Sequence, residues 1–160
     1  MKKTCNGPNM NTDLKWVIKY FPQLHIDELY NILYLRNEVF VVEQQAAYLD
    51  TDYKDQKALH ILGYLDDKLV VYCRLFRPGD YFEEASIGRV VASPQYRKYG
   101  YGHLLMDKAV ELMKTEFNEV GITISAQLYL QKFYESHGFE RTSETYLEDG
   151  IPHIQMKKRK

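Results

Sequence analysis

Residues Ala85 to His103 read ASIGRVVASPQYRKYGYGH, and this stretch decides the fold. Ile87, Val90 and Val91 are β-branched strand residues, Ser93-Pro94 stops the run, and an amphipathic helix opens at Tyr101 and continues to about Phe117. Between strand and helix lies Arg97-Lys98-Tyr99-Gly100-Tyr101-Gly102, a basic loop with two spaced glycines. First-turn N–H groups have no intrahelical partner, and with the positive end of the macrodipole they bind phosphate wherever glycine lets the backbone come close. A tight turn carrying two solvated cations is the competing reading. The loop lacks the glycine-lysine-serine/threonine ending of a Walker loop and the third glycine of a GxGxxG fingerprint, which argues against ATP in a P-loop and NAD on a Rossmann turn.

The segment resembles the acyl-CoA signature of the GCN5-related N-acetyltransferases, in which a strand with a V-x-x-P-like exit leads into R/Q-x-x-G-x-G/A; here that motif is Arg97, Gly100 and Gly102. A second motif follows at the family's distance. After the helix come the β-rich Gly121 to Ala126 and then Gln127 to Phe139, QLYLQKFYESHGF, similar to the family's strand and short helix closing on a tyrosine and glycine-phenylalanine phrase. Three further phrases resemble the ElaA-like acyltransferase branch: Leu35 to Gln45, Asp50-Thr51-Asp52 upstream of His60, and Tyr146 to Met156. Lys98-Tyr99 before Gly100 departs from the superfamily, which more often has a small residue there.

The remaining elements can be read from pattern. Leu14 to Tyr20 alternates as a strand, and Ile26, Leu29, Tyr30, Leu33, Arg36, Asn37 and Phe40 have helical spacing. Val41 to Lys57 has no clear period and reads as a long loop. Ala58 to Leu65 and Lys68 to Phe76 flank an Asp66-Asp67 turn, the strand at Ala85 completes a three-strand meander, and Arg141 to Leu147 and His153 to Lys158 flank Asp149-Gly150. The expected fold is α/β (α+β) in the order β-α-β-β-β-α-β-α-β-β, with a mixed, mainly antiparallel sheet. The resemblance adds a splay between strands four and five for CoA.

A chain of 160 residues is one domain by prior and buries roughly 70% of its unfolded surface. The expected division is a flexible tail over residues 1–12 and one N-acetyltransferase domain over 13–160. Net charge of −1 argues against a nucleic-acid partner. Two cysteines, Cys5 and Cys73, make neither a disulfide framework nor a metal site. With no apolar run of membrane-spanning length and no signal-peptide pattern at Met1 to Thr12, a cytoplasmic protein without a membrane partner is expected.

The resemblance implies acetyl transfer from acetyl-CoA to an amine of a small molecule or peptide, without a metal; a homodimer is the assembly it suggests. A non-catalytic acyl-CoA-binding module is the alternative. The backbone of Val90, Val91 and Ala92 would pair with the pantetheine arm, and Gln127 would reach it through its amide. Arg97, Lys98, Tyr99, Gly100, Tyr101, Gly102 and His103 would hold the pyrophosphate. Tyr134, a phenol with a reference pKa of about 10, is the candidate general acid and also touches the cofactor. For the base, His60, Glu43 and His153 compete with a water chain and no dedicated residue. Arg74 and Arg89 stand in apolar strands and need partners: either protein carboxylates such as Glu38, Glu43, Asp50 or Asp52, or an anionic group on the acceptor. Arg36 and His153 complete the expected acceptor side.

Overall fold

The computed structural model describes residues 13–119 and 121–159. The tail at 1–12, with Cys5, lies outside the described residues. The chain begins with β1 (Lys15–Tyr20) and α1 (Ile26–Arg36), whose last turn passes into a π-helical extension over Asn37–Glu43. There follow β2 (Leu59–Leu65), β3 (Lys68–Phe76), β4 (Ser86–Ala92), α2 (Tyr101–Phe117), β5 (Ile122–Gln127), α3 (Gln131–Glu135), β6 (Glu140–Arg141), β7 (Tyr146–Glu148) and β8 (Ile151–Lys158).

Two antiparallel sheets result, β1-β2-β3-β4 and β5-β8-β6, with β7 also pairing β8. They touch where β4 and β5 begin, through a parallel bridge between Ala85 and Ile122 in which Thr123 N–H donates to the Ala85 carbonyl at 2.9 Å. The strands then part. A bulge opens β4: Tyr72 faces Val91 and Arg74 faces Gly88, so Arg89 and Val90 lie in a kink, and Arg89 takes a left-handed φ of 50°. This bend is what splays the sheet.

The β3 run LVVYCRLF is buried on both faces because helices cover both. On one side Ile32, Leu35 and Val39 pack with Leu62, Leu69, Tyr72 and Val91. On the other, α2 buries Tyr101, Leu105, Met106, Ala109, Leu112, Met113 and Phe117, the stripe that its helical period dictates. This second cluster also takes Ile122, Ile124, Ala126, Ile154 and Met156, so one core joins the two sheets. Truncating Leu105 or Met106, both fully buried, to alanine costs about 2–5 kcal/mol.

Two expectations change. Val41 to Lys57 is not all loop: Gln44 N–H reaches back five residues to the Val39 carbonyl and Ala46 N–H to that of Val41, widening the helix by a residue per turn. The strand expected over Arg141 to Leu147 is two short ones. Thr142 and Ser143 interrupt it, the Ser143 hydroxyl taking the Gln155 N–H at 2.8 Å that a strand carbonyl would otherwise accept.

Candidate active site

The splay opens a cleft of about 390 Å³. Ile87, Gly88, Arg89, Val90 and Ala92 of β4 form one wall, and Ser125 and Gln127 of β5 the other. Arg97, Gly100, Gly102 and His103 close one end, while Glu148, Asp149, Ile151 and His153 of the β7–β8 hairpin line another part. Val39, Phe40, Gln44 and Tyr48 overhang it from the π-helical extension and the loop behind it.

At the glycine loop, Gly100 adopts φ 76°, ψ 14° as the N-cap of α2, the left-handed geometry in which glycine is unstrained. No acidic residue stands in the first turn to oppose an anion. A Cβ built on Gly102 would meet the Phe133 ring at 3.6 Å, so its hydrogen leaves room in the cleft that a methyl would take. These features suit a phosphate group. Arg97 also lines the cleft, with its guanidinium 2.7 Å from the Glu43 carboxylate. Lys98, Tyr99 and Tyr101 do not line it: Lys98 Nζ lies over the Tyr99 ring, and Tyr101 is buried in an aromatic group with Tyr96 and Tyr99. Bulk at Lys98-Tyr99 thus points away from the site. Val91 turns its side chain into the α1 side of the core and can offer the cleft only its backbone.

Tyr134 is 6% exposed, lines the cleft and packs edge-on against Phe133 and Phe139. Burial pushes its phenol well above the ordinary value, so it keeps its proton at neutral pH. Gln127 exchanges two side-chain hydrogen bonds with Gln44, at 3.0 and 3.1 Å, linking β5 to the overhang.

The expected acceptor side separates into parts. His60 is fully buried and does not line the cleft. Its Nε2–H donates to the Asp55 carbonyl at 2.8 Å, so Nδ1 accepts from the Tyr72 hydroxyl at 2.7 Å. Burial holds this neutral imidazole below its ordinary pKa, and a ring with both nitrogens bonded in the core is no base for the cleft. Glu43 is likewise absent from the lining and bound to Arg97.

Arg36 and Arg74 are buried in an ion-pair network behind the cleft. Arg36 meets Asp50 at 2.7 Å and Asp55 at 2.8 Å; Arg74 meets Asp52 at 2.6 and 2.8 Å and Asp55 at 2.7 Å. Arg89 meets Asp50 at 2.9 Å and lines the cleft. Burial raises the Asp52 and Asp55 carboxyls, but the arginine hydrogen bonds and charges outweigh it and hold both below the usual range. Protein carboxylates, not a ligand anion, pair with these arginines, although the buried Arg74 Nε has no hydrogen-bond partner among the described residues. The network ties the loop after α1 to β3 and β4.

His153 does line the cleft. Beside it are residues to which the sequence reading gave no site role: Gln44, Tyr48, Ser125, Glu148 and Asp149. Strand alternation held the signal for Ser125, which shares a face with Gln127. Among the described residues no group of three His, Cys, Asp or Glu side chains could hold a metal, and no helix is long and apolar enough to cross a membrane.

A glycine-spaced helix N-terminus at the end of a sheet splay, with a buried tyrosine in the same cleft, defines an acyl-CoA N-acyltransferase class of protein. The family model described as an acetyltransferase (GNAT) domain matches residues 27–160, and the chain belongs to this family, in its ElaA-like branch. It is 45% identical over 148 residues to the UPF0039 protein C11D3.02c of Schizosaccharomyces pombe, covering 91% of this chain and 97% of that protein. Protein ElaA of Escherichia coli is 40% identical over 145 residues, covering 89% and 95%. The ElaA crystal structure covers 92% of this chain and all of its own at TM-score 0.85 and 38% identity. An acyl-CoA N-acyltransferase from Pseudomonas aeruginosa gives 0.86 and 39%, again with 92% of this chain and 100% of the other covered. The chain is thus a GNAT-family N-acetyltransferase, of a family that uses acyl-CoA.

Proposed function

We propose that this enzyme moves an acetyl group from acetyl-CoA to a primary amine of a small molecule or peptide by direct attack, with Tyr134 as general acid. The observation that carries the reading is the shared cleft: Gly100, Gly102 and Arg97 at one end and the buried, protonated Tyr134 within it. The first turn of α2, with Arg97 turned from Glu43, would hold the pyrophosphate. The β4 backbone from Val90 to Ala92 would take the pantetheine arm as a sheet edge takes a strand, and Gln127 would exchange its Gln44 partner for the same arm.

The thioester supplies an activated acyl carbon and a sulfur leaving group. The acceptor arrives as an ammonium and must first lose one proton. Its freed electron pair forms the N–C bond as the C–S bond breaks; the Tyr134 phenol gives its proton to sulfur, and the nitrogen's second proton restores the phenol. One proton leaves to solvent overall.

The test is release of free CoA from acetyl-CoA in the presence of a panel of primary amines, with acetyl-CoA binding measured by calorimetry. Acetyl-CoA binding with amine-dependent CoA release is expected. Binding without release under any amine would favour the non-catalytic module, and binding of neither acetyl-CoA nor CoA would refute the donor assignment.

A further inference from the structure

The three arginines on the expected acceptor side are matched by three aspartates, Asp50, Asp52 and Asp55, so they form no surplus positive clamp for an anionic acceptor. The polar face of the second sheet is the remaining candidate. Direct antiparallel partners share a face; His153 pairs with Gln127 on one side and Tyr146 on the other, and Ser125 and Glu148 lie two residues along those strands. Ser125, Glu148 and His153 accordingly reach the cleft together.

His153 is set up as a proton acceptor. Its Nδ1 stands 2.7 Å from the Ile151 carbonyl, which can only accept, so Nδ1 carries the hydrogen and Nε2 is the nitrogen that gains or loses one. Nε2 lies 3.1 Å from Glu148 Oε2, and Ser125 Oγ donates to that same oxygen at 3.3 Å. The Tyr146 and Ser125 hydroxyls are 2.5 Å apart. The His153 ring is 9% exposed and the Glu148 side chain 41%, so the pair runs from the interior of the cleft to water.

We propose that His153 Nε2 is the base that takes the acceptor's ammonium proton, and that Glu148 anchors the ammonium and then steadies the imidazolium. The preferred acceptor is therefore a cationic primary amine with no carboxylate within reach of the pair. This deepens the acetyl-transfer reading and rests on it. One N–H proton passes to Nε2, the electron pair left on nitrogen forms the bond to the acyl carbon as C–S breaks, and the imidazolium returns its proton to water beside Glu148. The titratable groups around the ring are Glu148 and Tyr146 on β7 and Asp149 in the turn; Tyr48 and Arg89 line the same cleft, both bonded to Asp50.

The experiment uses the full chain with acetyl-CoA and four nucleophiles: butylamine, putrescine, γ-aminobutyrate, and methoxyamine, whose nitrogen is already neutral near pH 7. In the parent, butylamine and putrescine should outpace γ-aminobutyrate. His153→Asn should lower kcat with butylamine by about a hundredfold or more and replace the acidic limb of its kcat/KM profile by a continuous rise with pH as free amine accumulates, while methoxyamine turnover and calorimetric acetyl-CoA affinity stay near parental. Glu148→Gln should raise KM for putrescine several-fold with a smaller change in kcat. A parental pH profile in His153→Asn, equal losses with methoxyamine and butylamine, or a parent that prefers γ-aminobutyrate would overturn the proposal. A parent that fails to bind acetyl-CoA would overturn the donor reading itself, which the calorimetry registers separately.

Discussion

Replacing Gly102 by alanine should separate binding of the acyl donor from stability of the fold, because the two respond to a methyl group with opposite sign. Gly102 is the second residue of α2, and its built Cβ meets the Phe133 ring at 3.6 and 3.7 Å, ordinary contact distances. The fold therefore accepts the methyl. Alanine is better than glycine by up to about 1 kcal/mol in a helix, so the melting temperature should hold or rise by up to about 4 °C at this size. The same methyl occupies cleft space through which a phosphate would approach the first-turn N–H groups. Losing a hydrogen bond to a charged group costs about 1.5–3 kcal/mol, and at about 1.4 kcal/mol per decade the acetyl-CoA Kd should rise about ten- to hundredfold. Gly100→Ala is the contrasting case: φ 76° costs an L-residue about 1–2 kcal/mol, so melting should fall by about 2–8 °C along with affinity. Lys98→Ala, outside the cleft lining, should change the Kd by a few-fold at most. Calorimetry and thermal unfolding read both quantities on each variant. A Gly102→Ala protein with parental acetyl-CoA affinity would refute the pyrophosphate assignment, since its fold offers no compensating strain.

Three further outcomes follow from the site and its support. Tyr134→Phe keeps the ring and its packing, so acetyl-CoA affinity and melting should stay near parental while turnover falls about a hundredfold or more; unchanged turnover would reduce Tyr134 to packing. Asp55→Asn removes the carboxylate shared by buried Arg36 and Arg74 and should cost about 3–5 kcal/mol in denaturant unfolding, with a loss below about 1 kcal/mol contradicting the network's structural role. Acidification should destabilise in two steps. The folded pKa of His60 is depressed, so its contribution is complete above the free-histidine value of about 6.5 and declines as pH falls below it; the depressed Asp52 and Asp55 contribute fully above the free-aspartate value of about 3.9 and are lost as pH falls through their folded values. His60→Gln should remove the upper step, and a variant that keeps it would assign that step elsewhere.

The fold was legible because its signals are local. Proline after a β-branched run, a glycine-spaced helix start and period-two strands each bear on a few neighbouring residues, and together they give the element order and the glycine-loop end of the cleft. The surroundings of the expected acceptor residues were not legible, because they depend on pairs far apart in the chain. Arg36, Arg74 and Arg89 could be recognised as charges in need of partners, yet Asp55 lies 19 residues from both Arg36 and Arg74, and Asp50 lies 39 from Arg89. Nothing in composition chooses between a protein carboxylate and a ligand. His60 illustrates the same difficulty at the level of one side chain: its strand position allowed it to face the cleft, and only the hydroxyl of Tyr72 and the carbonyl of Asp55 show that it does not. Glu148 was hidden differently. It sits in a short hairpin strand whose polar residues read as turn flank, and its importance comes from sharing a face with His153 and Ser125, a relation fixed by register across β7, β8 and β5. A one-residue shift of that register would send Glu148 and His153 to opposite faces, so the chemistry proposed for this pair depends on the Asp149-Gly150 turn that sets it.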